Sequence, residues 1–446
     1  MKWNGRATPV ELNSMKHLMR LTLRLITCFS LSIATGFAQT PSGQLSEPLE
    51  IANPAFVGLS PDRLDRIDAM IESAIAAEQV PGAVALIARN GKIAYHRAFG
   101  TADPDGRALQ LDSIFRIASQ TKAITSTAIM MLWEEGHFKL DDNLSKFLPE
   151  FANPTVLVAY GTDSRRYSTR PAKKEITIRQ LITHNSGIGY GIIDRDTRMK
   201  QIYIDAGITD LFSTEPVVLA DNVKKLAALP LLFEPGEKFH YSEGLDVAGR
   251  LVEVLSGLPF DEFLRTRIFE PLGMKDTQFY LSDDQVDRLV TVQRPGEDGW
   301  LKYEGTEHYD ADYPFKGTRT WFGGGAGLTS TVHDYAAFLQ MYLNGGEYQG
   351  TRLLSRTTIG TIMAFQSELA DTKYYSLAFG VVTAKGVAHG GLGGLNTFSG
   401  GGYFNSTYFA DPEEKLLAMI FKQTRGQIGD ETGAKFSQLT FAAIDD

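Results

Sequence analysis

The sequence predicts an α/β (α+β) fold: an antiparallel sheet flanked by helices, with a mostly helical region inserted into the order of its strands. Three observations carry this. The apolar runs Gly82–Ala88 and Ile93–Phe99 flank Asn90-Gly91, the strongest short hairpin signature in the chain. Helical spacing of apolar residues sets in at Phe115, and helical patterns with loops dominate to about residue 355. After Tyr375 short apolar runs and turns return, so the two ends of the chain read as one sheet.

Taken in order, the chain begins with a stretch that reads as an address. Met15-Lys16-His17-Leu18-Met19-Arg20 and the apolar run Leu25–Phe37 form the basic and apolar parts of a signal peptide, with Met15 as an alternative start. Gly36-Phe37-Ala38 supplies small residues for cleavage after Ala38, which predicts a secreted or periplasmic protein. A membrane anchor is the weaker reading, because the apolar run after Arg24, Leu25–Phe37, falls short of the roughly 18 residues a span needs. A lipoprotein reading through Cys28 is disfavoured by Thr27 before it. Cleavage leaves 39–446 without cysteine, so folding does not rest on disulfides. It also removes five basic residues and one acidic residue, taking the formal net charge from −9 to −13. No basic stripe remains to neutralise phosphates, which argues against a nucleic-acid partner.

Residues 39–56 are polar and contain Pro and Gly, and read as a linker before the domain 57–446. A helix capped near Ser60-Pro61-Asp62 is expected to run to about Gln79. The hairpin over about 80–100 follows. Apolar positions 124, 128, 131 and 132 then mark a helix that opens near Phe115–Lys122 and stops at Gly136. Further helical patterns lie at Thr177–Thr183 and Leu245–Ser256, separated by a polar, tyrosine-containing insert at about 188–215. Ser406–Phe409, the turn Asp411-Pro412-Glu413-Glu414 and Leu416–Phe421 bring back the sheet, and a helix over about 432–444 closes the chain.

The residues suited to chemistry fall at three places. Ser119 and Lys122, three apart at the mouth of a helix, lie on one face about 5–6 Å apart at Cβ, within reach for the amine to take the hydroxyl proton. Free N–H groups at that helix end also favour an oxyanion. A bare S-x-x-K is a weak motif, and an ordinary helix-surface pair is its alternative reading; but Lys122 is the one lysine with a serine three residues before it, and its setting after a hairpin strengthens it. Tyr241, in Phe239-His240-Tyr241-Ser242-Glu243, stands on a loop before a helix, where it presents a hydroxyl or simply packs. Gly400-Gly401-Gly402-Tyr403 leads toward a strand; such glycines let a backbone edge approach a ligand, or form a turn. There is no G-x-S-x-G elbow, H-E-x-x-H helix or Walker loop, and the eight histidines are scattered, so no cofactor and no metal is expected.

These three places, in this order, resemble the serine β-lactamase and penicillin-binding protein superfamily, in its class C-like branch and most of all the family VIII carboxylesterases. Ile176–Gly187, Pro230–Gly236, Glu270–Met274 and Gly323–Leu328 share the likeness, which therefore spans almost the whole mature chain. The resemblance implies a β-lactamase/transpeptidase-like fold, Ser119 as the acylated nucleophile, Lys122 as proton acceptor and Tyr241 as its acid/base partner. It implies an oxyanion site from the N–H of Ser119 with Gly402 or Tyr403. Two departures stand out: Glu243 replaces the asparagine two residues after the tyrosine in class C β-lactamases, and Gly400 stands where the third motif has lysine, histidine or tryptophan. His389-Gly390-Gly391 imitates the histidine version of that motif and is the alternative placement.

A lysine amine in water titrates near about 10.4, so freeing it of its proton at pH 7 costs roughly 4–5 kcal/mol. The reading therefore requires Lys122 to be buried and in contact with Tyr241. Gly400 cannot pair with the carboxylate of a penicillin or peptidoglycan stem, which favours small-molecule esters over β-lactams or D-amino acid peptides. Tyr190, Tyr203, Trp321, Phe322 and Tyr403 are the candidates for acyl recognition, with ordinary packing as the alternative for most of them, and Glu243 is a candidate for repelling carboxylates or orienting water. Acyl transfer to an alcohol, and a penicillin-binding-like sensor without turnover, remain the other readings.

Overall fold

The computed structural model describes residues 49–160, 167–191, 193–306, 309–390, 393–426 and 429–446. The expected signal peptide and the first part of the expected linker lie outside the described residues. Among the described residues no helix is long and apolar enough to cross a membrane.

One large sheet organises the fold. Its strands, in chain order, are β1 (Glu50–Ile51), β2 (Gly82–Arg89), β3 (Lys92–Gly100), β4 (Ser367–Ala370), β5 (Lys373–Tyr375), β6 (Gly380–Val382), β7 (Phe398–Gly401), β8 (Thr407–Asp411) and β9 (Leu416–Phe421). In space they run β1-β3-β2-β9-β8-β7-β6-β5-β4. All neighbours are antiparallel except β1, which lies parallel to β3. The linker expected at 39–56 thus reaches into the fold at its end, where Glu50 and Ile51 form a sheet edge. Asn90 and Gly91 close the β2–β3 hairpin with φ of 54° and 74°, the paired positive values a two-residue loop of this kind requires.

Strand β9 joins the amino-terminal hairpin to the carboxy-terminal strands, so residues 101–366 are an insertion between the halves of one sheet. Its six residues are all buried because both faces are covered. Toward one face, Ala418 and Ile420 join Ala85 and Ile87 under α1 (Pro61–Ala76) and the carboxy-terminal helix Thr432–Ala442. Toward the other, Leu417, Met419 and Phe421 pack with α2 (Thr121–Glu134) and with the helix Val332–Leu343. Helix α2 is buried on all sides from Thr121 to Leu132, as its apolar circumference demands. Further along the chain, α3 (Gly244–Ser256) packs on α2, and Gly257 ends it at φ 74°. In chain order after it come α4 (Val332–Leu343) and α5 (Thr432–Ala442).

The inserted region is less uniformly helical than its pattern suggested. Three small hairpins among the described residues, Thr155–Tyr160 with Tyr167–Pro171, Gln293–Gly296 with Gly299–Lys302 and Glu347–Tyr348 with Thr351–Arg352, interrupt it. The polar insert at 188–215 contains a helix, Thr197–Asp205, whose first turn is capped by the Asp196 carboxylate.

Candidate active site

The chain enters the site through a two-residue strand, Phe115–Arg116, held to Thr329–Ser330. The buried Arg116 guanidinium donates to the carbonyls of Tyr313, Val290 and Ala311 and so fixes this entry. Ala118 then adopts φ 47°, a left-handed conformation that costs a non-glycine residue roughly 1–2 kcal/mol. That bend opens the single turn Ala118–Gln120, which leads into α2 and leaves Ser119 half-buried at its mouth.

Lys122, one turn on, is 3% exposed. Its Nζ donates to the Gly325 carbonyl at 2.6 Å and to the Tyr190 hydroxyl at 3.4 Å, and lies 4.6 Å from the centroid of the Tyr241 ring. The Gly325 N–H donates in turn to Asp246 Oδ1 at 3.0 Å, at the first turn of α3. A Cβ on Gly325 would lie 2.7 Å from Asp246 Oδ2, so glycine lets this loop pass between α2 and α3. Burial pushes the Asp246 carboxyl up to about 6, against the pull of Lys122.

The Tyr241 ring is sandwiched. Tyr190 stacks on one side at 5.6 Å and 15°, and His184 lies at 4.6 Å and 40°. The Ser242 N–H donates to His184 Nδ1, which places the imidazole proton on Nε2, a buried atom without a hydrogen-bond partner. Burial, the Lys122 charge and His240 hold this imidazole well below its usual range, so it acts as a neutral wall. Among the described residues, neither the Tyr241 hydroxyl nor Ser119 Oγ has a hydrogen-bond partner, which leaves both available to a substrate.

Gly400 and Gly401 lie within β7, and Gly402 starts the turn into β8, so the glycine run is itself a strand end. The Gly402 N–H is spent on the Ser406 carbonyl at 2.8 Å; that of Tyr403 has no such partner among the described residues. Of the two expected second oxyanion donors, Tyr403 is therefore the free one. A Cβ on Gly402 would lie 2.6 Å from the Ile117 carbonyl, so glycine is what lets β7 close on the serine turn. Gly400 faces Tyr408 across the ladder, and a Cβ there would lie 2.5 Å from the Tyr408 hydroxyl. The neighbouring strand thus fills the space that a side chain at 400 would take. His389 sits exposed at the end of the short helix Ala384–His389, its Nδ1 donating to Lys385 O, and is not part of the sheet. A cation does reach the third motif from elsewhere: the Arg425 guanidinium lies 3.7 Å over the Tyr403 ring and donates to the Tyr403 carbonyl.

Other expected binding residues are placed differently. Trp321 is fully buried, its Nε1 donating to Leu211 O, so it offers no surface to an acyl group. Phe322 lines a separate cleft of about 490 Å³ with Phe279 and Tyr280, which does not include Ser119, Lys122 or Tyr241. Tyr203 is buried with its hydroxyl accepting from Gly189 N–H. Glu243 is 1% exposed and accepts the Gly191 N–H at 2.7 Å, while its own N–H donates to Gly189 O. It therefore fastens the loop that carries Tyr190. Burial, with Asp210 and Asp246 nearby, raises its carboxyl well above the usual range. His184, Asp246, Gly325 and Tyr408 are given no role by the sequence reading; the signals for them were the stretches Ile176–Gly187 and Gly323–Leu328, which hold His184 and Gly325, and the position of Asp246 on the first turn after Tyr241.

Comparison with known proteins places this geometry in context. The family model described as Beta-lactamase matches residues 67–440. Protein Rv1367c of Mycobacterium tuberculosis is 32% identical over 381 residues, covering 81% of this chain and 90% of that protein. Esterase EstB of Burkholderia gladioli is 29% identical over 377 residues, covering 80% and 90%. Among solved structures, EstCE1, described as a hydrolase with promiscuous acyltransferase activity, superposes with a TM-score of 0.71 at 24% identity, covering 86% of this chain and 98% of its own.

Proposed function

The chain belongs to the beta-lactamase family and is a serine hydrolase within it, and on that premise we propose that it cleaves small carboxylic esters through an acyl-serine intermediate formed on Ser119. The observation that carries this is the buried Lys122 amine, one turn after Ser119 and held against both Tyr241 and Tyr190. In the proposed first step the Ser119 oxygen bonds to the ester carbonyl carbon while its proton passes to the Lys122–Tyr241 pair. The N–H groups of Ser119 and Tyr403 hold the developing oxyanion; one such donor is worth about 10²–10³ in rate. Collapse breaks the bond to the alcohol, which leaves with the proton returned from Tyr241. Water then adds to the acyl carbon by the same route in reverse, releasing the acid and restoring the serine.

Esters are favoured over β-lactams by the neutral phenol of Tyr408 at Gly400, since burial holds that hydroxyl above its usual range and a phenol does not pair with a carboxylate as a cation does. The proposal includes export with cleavage after Ala38, checked by reading the amino terminus of the released protein, which should begin at Gln39.

The decisive experiment is intact-protein mass spectrometry with a nitrophenyl ester. Wild type should carry a transient acyl group on Ser119 and turn the ester over, and Ser119→Ala should do neither. Turnover by Ser119→Ala overturns the assignment. Added alcohol that yields a new ester faster than free acid would make transfer, not hydrolysis, the main reaction.

A further inference from the structure

On the face of the sheet away from α2, a cleft of about 260 Å³ opens between β5–β8 and the first turns of α5. Lys373 begins β5 and Ser399 lies in β7; both point to this face, with Gly380 and Val382 of β6 between them. The Lys373 side chain crosses β6 and donates to Ser399 Oγ at 3.1 Å. Among the described residues this is its one hydrogen bond, and it has no carboxylate partner. Asp411, at the end of β8, is spent on Thr397 Oγ1 and on the N–H groups of Gly394, Glu413 and Glu414, and Asp371, in the turn before β5, is paired with Lys385.

A partly buried ammonium with a single neutral partner is costly. The other lysine buried in this part of the fold is arranged in the ordinary way: Lys422 is held by Asp430 and by Thr432 Oγ1 at 2.7 Å. Burial lowers both lysines from their usual value, but for Lys373 nothing opposes it, whereas for Lys422 the Asp430 charge does. The cleft beside Lys373 is also lined by Thr407, whose hydroxyl has no hydrogen-bond partner among the described residues, and by Gly433 and Ser437 of α5.

We propose that this cleft is a binding site for a small oxyanion, a carboxylate or a phosphate, with the Lys373 ammonium as its ionic anchor and the Ser399 and Thr407 hydroxyls as further donors. The ammonium has donors to spare, and the hydroxyls complete a set suited to an oxygen-rich anion. The site lies on the opposite face from the serine turn and is independent of the esterase reading, although Ser399 immediately precedes Gly400 on β7.

The test is isothermal titration of the full mature chain with inorganic phosphate and, separately, with butyrate, at constant ionic strength. The expected result is saturable binding of at least one anion at one site, weakened about tenfold or more in Lys373→Met and kept in Lys373→Arg. Stronger binding of phosphate or of butyrate then identifies the source chemistry. Ester turnover without added anion should be unchanged in Lys373→Met, because Lys373 is outside the serine site. If Lys373→Met does not fold, Ser399→Ala replaces it and must weaken the same binding. No saturable binding of either anion, or equal binding by wild type and variant, overturns the proposal.

Discussion

Lys122 Nζ donates to the carbonyl of Gly325 at 2.6 Å, and this contact ties the nucleophile's helix to the glycine loop lying against α3. A carbonyl takes one N–H of the amine and fixes its direction. The rest of the nitrogen then faces the two phenols, Tyr190 and Tyr241, one helical turn after Ser119.

Two phenols at one amine leave open which of them moves the proton, and substitution separates them. Tyr241→Phe should lower kcat for a nitrophenyl ester by about 10²-fold or more, the usual worth of a positioned acid/base. Tyr190→Phe keeps the ring that stacks on Tyr241 and should cost less than about tenfold. The reverse order would move the acid/base role to Tyr190.

Glu243 reads differently in the fold than in the sequence. Its carboxyl is raised by burial and by Asp210 and Asp246, so it stays protonated into a range where an ordinary glutamate is charged. Glu243→Gln preserves a neutral acceptor for Gly191 N–H and should leave stability within about 1 kcal/mol and substrate preference unchanged. Glu243→Ala orphans that N–H and should cost about 1–3 kcal/mol in denaturant unfolding, with lower turnover as the Tyr190 loop loosens. Because the folded value lies above the unfolded one, wild-type stability falls as pH rises through that interval, and Glu243→Gln should lessen the fall.

The contrast with Glu243 shows what the sequence could carry. The hairpin at Asn90-Gly91, the strand Leu416–Phe421 and the closing helix were legible because each is a local pattern with local turn chemistry. The placement of Ser119 and Lys122 one turn apart at the mouth of a helix was legible for the same reason. Trp321 and Phe322 misled because an aromatic side chain near a glycine loop reads alike whether it faces a substrate or the core. The Asp246–Gly325–Lys122 chain, the Tyr408 hydroxyl at Gly400 and Arg425 over Tyr403 join residues far apart in sequence, so no spacing announces them.

Arg425 lies over the Tyr403 ring and donates to the Tyr403 carbonyl, which sets a cation beside the residue whose N–H is free. An ester carrying a carboxylate on its acyl group should be turned over less well by Arg425→Gln, with KM rising more than kcat falls. A neutral ester of the same length should lose less than about threefold in kcat/KM, since one screened charge contact is worth about 1 kcal/mol or less. Equal losses on both esters would assign Arg425 to holding the Tyr403 turn alone.

Glycine at 402 is a packing requirement, and Gly360 supplies the control. A Cβ at 402 would press on the Ile117 carbonyl, two residues before the nucleophile, whereas one at Gly360, exposed in the helix Arg356–Met363, meets nothing within 4 Å. Gly402→Ala should lower kcat by about 10²-fold through misplacement of the serine turn. Gly360→Ala should leave kcat alone and stabilise the fold by about 0.5–1 kcal/mol, through helix propensity.

Asp246 gives the site a stability cost that depends on pH. Its folded value of about 6 lies above the ordinary 3.8, so between these the folded protein keeps a proton that the unfolded chain has released. Stability therefore declines as pH rises through that window and stays reduced above about 6. A difference of about two pH units corresponds to roughly 3 kcal/mol. Asp246→Asn retains an acceptor for the Gly325 N–H and removes the titration. Denaturant unfolding at pH 4 and at pH 7.5 should show wild type losing up to about 3 kcal/mol more than the variant between the two conditions. Asp334, also raised to about 6, titrates in both proteins, so its share cancels in the difference, whereas Glu243, which the Asp246 charge itself pushes up, is raised less in the variant and adds to the difference in the same sense. Parallel pH dependences would mean that the Asp246 carboxylate is already matched by the Lys122 charge in the folded state.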